Sequence, residues 1–188
     1  MKKILLVLVC VAFSFALCQA QGKENVYRVG DVVVSGIVTK EAIFNTFETS
    51  ERMKKIIESY FPTQIDVKST PVIYFESEKN LKYPYYLKEF DKEIDNLRNN
   101  DSRSLLIGVA VFYMLTKNTE CLDQNGDNIF FVPIKMSEVN WETLCVSLTW
   151  NNRNKKWTMK GDFASYIEVM KAGTRFFMFP CNDQVSKL

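Results

Sequence analysis

Apolar and polar residues alternate most clearly in two successive segments near the carboxyl end of the chain, residues 141–150 and 157–163. Alternation with a period of two predicts β-strands that bury one face. A four-residue loop at residues 152–155 would join them as an antiparallel hairpin, and a shift by one residue would turn the inward side chains outward. In this register the inward residues face one another: Trp150 with Trp157, Leu148 with Met159, and Leu144 with Phe163.

Four other segments are rich in β-branched and aromatic residues and are predicted to be strands. They are residues 26–39, 65–76, 129–134 and 174–180. Gly30 and Gly36 would allow the first segment to bend. Pro71 places the second segment at a sheet edge or at a break, because proline has no N–H to donate to a neighbouring strand.

Residues 105–115, with the sequence LLIGVAVFYML, are apolar on both alternating faces. A strand of this kind is covered on both sides, so the pattern predicts a central strand of the sheet. Gly108 and Ala110 would share one face with Leu106 and Phe112. Small residues on that face would allow a helix to approach closely.

Apolar residues recur at helical spacing in residues 40–61 and 84–98. Thr49 or Ser50 can cap a second segment within the first range, so this range predicts one or two helices that end at Pro62. In the second range Pro84 suits the first turn, where its missing N–H would be unpaired in any case. The apolar residues of that range form a single stripe: Leu87, Phe90, Ile94 and Leu97.

The order of these elements predicts an α+β fold. Strands and helices alternate in the first half of the chain, and strands joined by short turns follow. We therefore expect a largely antiparallel, curved sheet with two or three amphipathic helices packed on one face.

The beginning of the chain resembles a secretory signal peptide. Two lysines at positions 2 and 3 precede an uncharged apolar run at residues 4–17 and the small residues Cys18 and Ala20. We expect cleavage after Ala20, which would release residues 21–188 as one α+β domain into the periplasm or the extracellular space. Fourteen apolar residues are too few for a stable membrane span, which needs about 20.

A lipid anchor at Cys18 is the alternative interpretation of the same segment. The bulky Leu17 immediately before this cysteine argues against it, because the peptidase for lipoproteins requires a small residue there. Both interpretations predict that the protein leaves the cytoplasm.

The charge balance argues against nucleic acid as a partner. The leader carries two of the 24 basic residues, so 22 remain against 22 acidic residues. A near-neutral domain has no strong field for a polyanion. Four basic residues flank the tip of the predicted hairpin and are interpreted as solubilising charges: Arg153, Lys155, Lys156 and Lys160.

The chain contains no histidine. This excludes Ser-His and Cys-His nucleophile pairs and imidazole ligands for zinc or haem. The sequence has no Gly-rich loop that would hold a phosphate, and we expect no cofactor. Catalysis by two carboxylates remains chemically open, because 22 acidic residues are present.

One short stretch, DQNGD at residues 123–127, spaces Asp123, Asn125 and Asp127 like the first ligands of a calcium loop. Position 12 of such a loop is Ile134, which cannot replace the usual bidentate glutamate. The alternative is a tight turn between two strands, in which Asn125 and Gly126 adopt positive φ angles. The missing acid favours the turn over the metal site.

Three cysteines follow the leader: Cys121, Cys145 and Cys181. Cys145 is predicted in the middle of a strand on its polar face, whereas Cys121 and Cys181 lie beyond strand ends, where disulfide geometry is easier to satisfy. The sequence therefore predicts a Cys121–Cys181 disulfide with Cys145 free, and three reduced thiols are the alternative.

Two hypotheses for the function follow. The first is an exported, non-enzymatic binding or inhibitory module that recognises a protein, a peptide or a small molecule through a pocket or a loop surface. Trp150 and Trp157 would form an aromatic surface for such a ligand if they were exposed, although their inward positions favour the core. The alternative is a carboxylate-dependent, glycosidase-like hydrolase of envelope or extracellular polymer.

Overall fold

The computed structural model describes residues 25–98, 103–117, 120–136 and 140–179. The strands are β1 (Val26–Thr39), β2 (Phe47–Thr49), β3 (Gln64–Ser77), β4 (Leu81–Lys82), β5 (Asn128–Lys135), β6 (Trp141–Asn151), β7 (Lys156–Phe163), β8 (Val169–Met170) and β9 (Arg175–Met178). The helices are α1 (Lys40–Thr46), α2 (Glu51–Tyr60), α3 (Tyr85–Lys88), α4 (Asp91–Arg98) and α5 (Arg103–Leu115), and Ala164–Tyr166 form a 3-10 turn.

The architecture is α+β, with a curled sheet of seven strands. The strand order is β1-β3-β9-β5-β6-β7-β2, and β4 pairs with β8 in a separate small sheet. Two neighbouring pairs, β5 with β9 and β2 with β7, are parallel, while the other four pairs are antiparallel. The sheet is therefore mixed rather than purely antiparallel, with antiparallel pairs in the majority.

The predicted hairpin is confirmed in its register. β6 and β7 are antiparallel, and the three expected pairs occur: Trp150 with Trp157, Leu148 with Met159, and Leu144 with Phe163. The two indole rings meet edge to face with their centroids 5.2 Å apart. The alternation of the sequence was sufficient here because each inward side chain contributes to the same core.

The prediction of a central strand at residues 105–115 is wrong, because these residues form helix α5. A continuous apolar run has no periodicity that separates a buried strand from a buried helix. Gly108 does permit a close approach of a helix to a strand, but it belongs to the helix and not to the strand. A Cβ atom on Gly108 would lie 2.6 Å from the ring of Phe130, so the helix backbone lies directly against β5.

Helices cover both faces of the sheet, which corrects the expectation of helices on one face. On one face α1, α2 and α5 pack against the sheet in a core that includes Phe130, Val132 and Phe177. On the other face α3 and α4 pack against Ile129, Phe131 and other residues of the same strands. Strand β5 is buried on both sides because its alternate residues enter different cores.

The range 40–61 contains two helices, and Ser50 caps the second of them, as the sequence allowed. The range 84–98 is divided into α3 and α4 rather than forming one helix. Tyr86, outside the predicted stripe, is fully buried in α3, and its hydroxyl donates to the carbonyl oxygens of Ala164 and Ile167 at 2.5 and 2.8 Å. These hydrogen bonds attach α3 to the residues that follow β7.

The strand predicted near the end of the chain is confirmed as β9, but it lies between β3 and β5 in the sheet. Its neighbouring phenylalanines enter opposite cores, Phe176 on the side of α4 and Phe177 on the side of α5.

Within the part of the chain that the structure describes, no helix is both long and apolar enough to cross a membrane.

Candidate functional site at the open edge of the sheet

Several exposed apolar side chains of the described residues follow β1, the first strand of the sheet. Val33 is 62% exposed, Ile37 is 60% exposed and Val29 is 39% exposed. Within the described sheet, β1 has β3 on one side and no strand on the other. We call residues 29–37 of β1 the open edge.

Two irregularities divide β1 and give the open edge a regular centre. The register with β3 shifts between Arg28 and Gly30 and again between Val34 and Gly36. Bulges of this kind twist an edge strand and interrupt its pairing. Residues 30–34 between them pair with β3 without a shift, so this short segment has ordinary strand geometry.

Pro71 determines which backbone groups of the open edge face solvent. It pairs with Val33, and proline has no N–H with which to complete a pair that exchanges two hydrogen bonds. We therefore infer that this is a non-hydrogen-bonded pair, in which the N–H and C=O groups of Val33 point away from β3. Because the pattern alternates along a strand, those of Asp31 point the same way.

The two side-chain faces of β1 are covered over different parts of the strand. Val34 and Val38 are buried in the core under α1, α2 and α5. The opposite face is covered by α3 and α4 only near its start, where Val26 is buried. Farther along the strand Val33, Ile37 and the paired Pro71 are exposed on that face. The open edge thus combines free backbone groups with an apolar face.

Polar residues lie beside the open edge at its amino-terminal end. Glu76 accepts hydrogen bonds from Arg175 at 3.2 Å and from the Tyr27 hydroxyl at 2.6 Å. Arg175 also donates to the carbonyl oxygen of Cys121 at 2.9 Å, which attaches the loop before β5 to β9. Because both oxygens of Glu76 already have partners, this group is a structural brace rather than a free acid.

The titratable groups around this brace favour their neutral forms. The hydrogen bond to Glu76 raises the pKa of Tyr27, and burial raises the pKa of Tyr74. Burial also raises the pKa of the Cys121 thiol, although Tyr74 and Arg175 oppose this in part. A reactive cysteine needs a lowered pKa, so Cys121 has the character of a structural thiol.

The predicted calcium residues lie in the loop between α5 and β5. A side-chain oxygen of Asp123 accepts from the backbone N–H of Asn125 at 2.9 Å. The backbone carbonyl oxygen of Asp127 accepts a hydrogen bond from the backbone N–H of Arg175 at 2.8 Å. Among the described residues, no group of three or more Cys, Asp or Glu side chains is arranged to hold a metal ion.

The other explanation of this loop, a turn with positive φ angles between two strands, is wrong. The loop connects a helix to a strand, and Gly126 is not among the described residues with positive φ. Asn128 instead holds the loop, since its side chain accepts from the N–H of Asp123 at 2.8 Å. It donates to the carbonyl oxygens of Asp123 and Leu148 at 2.8 and 3.2 Å. The sequence did not indicate this role of Asn128.

The two candidate tryptophans do not form an exposed pair. Trp157 is buried in the core and Trp150 is half-buried against it, so the structure places their rings on each other rather than toward a ligand. The basic residues around the hairpin tip are all exposed: Arg153, Lys155, Lys156 and Lys160.

Cys121 and Cys145 are both buried with free thiols. Cys181, the predicted disulfide partner of Cys121, lies outside the described residues, as does the predicted leader. Cys145 was expected on a polar face but is buried beneath α3 and α4, because helices cover that face as well. The disulfide stays a prediction.

Comparison with known proteins finds no matching family model, no matching curated protein and no matching solved structure. Function therefore has to be argued from the geometry of this chain. The sequence analysis missed the open edge because Val29, Val33 and Ile37 have the same apolar character as core residues. Their four-residue spacing was the available signal, since Val34 and Val38 already supply the buried face.

Proposed function

We propose that this chain is a non-enzymatic binding module that recognises an extended segment of another polypeptide by adding it to the open edge. The observation that supports this most directly is the pairing of Val33 with Pro71. It leaves an exposed β-branched residue with its hydrogen-bonding groups directed toward solvent.

Strand addition supplies two kinds of interaction at such an edge. Backbone hydrogen bonds to residues such as Asp31 and Val33 give affinity for any extended chain. The apolar side chains of Val33 and Ile37 give preference for a partner with apolar residues on the same face. Arg28 and Asp31, which form an ion pair at 3.0 Å, would place a small polar region beside them.

The alternative function, a carboxylate-dependent hydrolase, has no supporting observation among the described residues. The half-buried carboxylate of Glu76 is occupied by Arg175 and Tyr27. We therefore base the proposal on binding.

We also propose that the module is exported, on the strength of the leader-like sequence at residues 1–20. Amino-terminal sequencing of protein from the native cell tests this separately. Gln21 at the amino terminus supports export, and an intact Met1 on cytosolic protein contradicts it.

The binding proposal is tested by comparing two valine-to-lysine variants. Val33→Lys places a charge on the open edge, whereas Val169→Lys makes the same change at an exposed position of β8. The tagged chains are incubated with the native extracellular or periplasmic fraction, and bound proteins are quantified by mass spectrometry. We expect specific partners to be lost with Val33→Lys and retained with Val169→Lys. Partners that survive Val33→Lys, or that are lost equally with both variants, overturn the proposal.

A further inference from the structure

We propose that the open edge pairs with the open edge of a second copy of this chain, antiparallel, about a two-fold axis through Val33. This inference rests on the proposed function, because it names the partner of the same site. It predicts a homodimer in which two seven-stranded sheets join into one.

The backbone geometry suits this arrangement. The N–H and C=O groups of Val33 point outward, so Val33 of each copy can donate one hydrogen bond to the other and accept one from it. A two-fold axis through such a pair makes the contact isologous, and the assembly closes at two copies. Residues 32–34, which face one another about this axis, pair with β3 without a register shift.

The exposed side chains are arranged symmetrically about the same residue. Val29 lies four residues before Val33 and Ile37 lies four residues after it, and all three are exposed. Centring an antiparallel pair on Val33 brings Val29 of one copy and Ile37 of the other to the same end of the pair, beyond the register shifts. Val32 and Val34 face each other across the axis. The apolar residues of a second copy can therefore pack against the apolar residues of the open edge.

The charges of β1 do not oppose this pairing. Arg28 and Asp31 are the charged residues of the strand, and they already neutralise each other within one chain at 3.0 Å. In the proposed register Asp31 faces Ser35. The two Asp31 side chains would be separated by about four residues along the strands, roughly 13 Å. This is longer than the screening length of about 8 Å at physiological salt.

The strand also lacks two of the residue types that keep edge strands of monomers apart. Proteins protect exposed edges with lysine or proline, and the sequence of β1 contains neither. Its bulges lie on either side of the central segment rather than within it. The centre of the open edge is thus the part of this sheet that is least protected against pairing.

Cysteine cross-linking tests the register. In a Cys181→Ser background, Val33→Cys places two thiols at the axis, where Cα atoms of a hydrogen-bonded pair are about 5.5 Å apart, within disulfide range. Ser35→Cys is the matched control, because its two copies would be about 13 Å apart. Cys121 and Cys145 are buried and contribute little background. The chain is expressed with its own leader and oxidised mildly.

We expect a covalent dimer with Val33→Cys and not with Ser35→Cys. Cross-linking of both variants to the same extent indicates random collision and overturns the proposed pairing. Cross-linking of Ser35→Cys alone, or of neither variant, also overturns it.

Sedimentation equilibrium measures the dimer without cross-linking. Val33→Pro removes an N–H that β3 does not use, and Val33→Thr keeps that N–H and the branched shape as a control. Two lost hydrogen bonds of about 1 kcal/mol each correspond to a dimer that is about 30-fold weaker. We expect this loss for Val33→Pro and little change for Val33→Thr. A wild-type chain that stays monomeric overturns the dimer, whereas loss of other partners with Val33→Lys alone would still support the binding module.

Discussion

Asn128 illustrates how one buried polar side chain fixes a loop at the residue scale. It is fully buried and connects the loop before β5 to β6 through Leu148. A buried amide without these partners would carry a desolvation cost of about 1–3 kcal/mol. The hydrogen bonds therefore explain why an Asn, rather than an apolar residue, begins the most buried strand of the sheet.

We predict that Asn128→Asp destabilises the fold by about 2–4 kcal/mol. The substitution removes two donated hydrogen bonds and buries a carboxylate. Asn125→Ala, in the exposed part of the same loop, is the control and should change stability by no more than about 0.5 kcal/mol. Urea unfolding of both variants checks this. Equal stabilities for the two variants would contradict the role given to Asn128.

A second prediction concerns Gly108 in α5. Alanine ordinarily stabilises a helix relative to glycine by about 1 kcal/mol. Here its Cβ would lie 2.6 Å from the ring of Phe130, which is fully buried between Phe112 and Phe179. We expect Gly108→Ala to destabilise the fold by about 1–3 kcal/mol in urea unfolding.

The control for this prediction replaces the ring that faces Gly108 with a smaller side chain. Phe130→Leu leaves space near Gly108, so alanine should cost less in that background than in the wild-type chain. A stabilising Gly108→Ala in the wild-type chain would show that α5 does not approach β5 as closely as the structure has it.

At the scale of elements, the sequence predicts a helix or a strand correctly where its apolar residues recur with a clear period. The β6–β7 hairpin follows from alternation, because each inward residue of one strand meets an inward residue of the other. The α5 helix could not be distinguished from a strand, because it is apolar on almost all sides and packs against both the sheet and α1. The sheet order was also beyond the sequence, since nothing local in residues 175–178 indicates a central position.

The central position of β9 leads to a third prediction. Phe177→Ala should cost about 3–5 kcal/mol, because its fully buried ring contacts Phe112 and Tyr74 across one core. Tyr166→Ala removes a side chain that is 71% exposed and should change stability by about 0.5 kcal/mol or less. Urea midpoints compare the two. A small effect of Phe177→Ala would contradict the burial of this strand.

At the scale of the whole molecule, buried tyrosine and cysteine side chains should make stability fall in alkali. Burial raises the pKa of Tyr86 above its usual value of 10.0 and that of Cys145 above 9.0. The unfolded chain then releases protons that the folded chain retains. The contribution of each group is complete below its usual pKa and is lost as the pH rises above it.

We therefore predict that the free energy of unfolding decreases from pH 9 upward and more steeply above pH 10. Tyr86→Phe is less stable at neutral pH, because it loses the hydrogen bonds to Ala164 and Ile167, but its decrease above pH 10 should be smaller. Urea unfolding across this pH range measures both. Identical alkaline slopes in the two proteins would contradict the burial of the hydroxyl.

The candidate site depends on the whole sheet, so the four-residue spacing of Val29, Val33 and Ile37 was not sufficient to identify it. The proposed direction of the Val33 backbone follows from its pairing with Pro71, and its exposure follows from the limited extent of α3 and α4. The sequence shows only a β-branched segment at residues 26–39. Whether a residue of that segment is covered by another helix or strand depends on residues more than thirty positions away in the sequence.

Hydrogen exchange of individual β1 amides tests the central claim, binding at the open edge, most directly. The N–H groups of Asp31 and Val33 should exchange fast in the free chain, whereas those of Val32 and Val34 should already be protected by β3. When a partner chain binds, Asp31 and Val33 should become protected while Val32 and Val34 change little. Binding that leaves Asp31 and Val33 in fast exchange, with new protection elsewhere, would contradict the account.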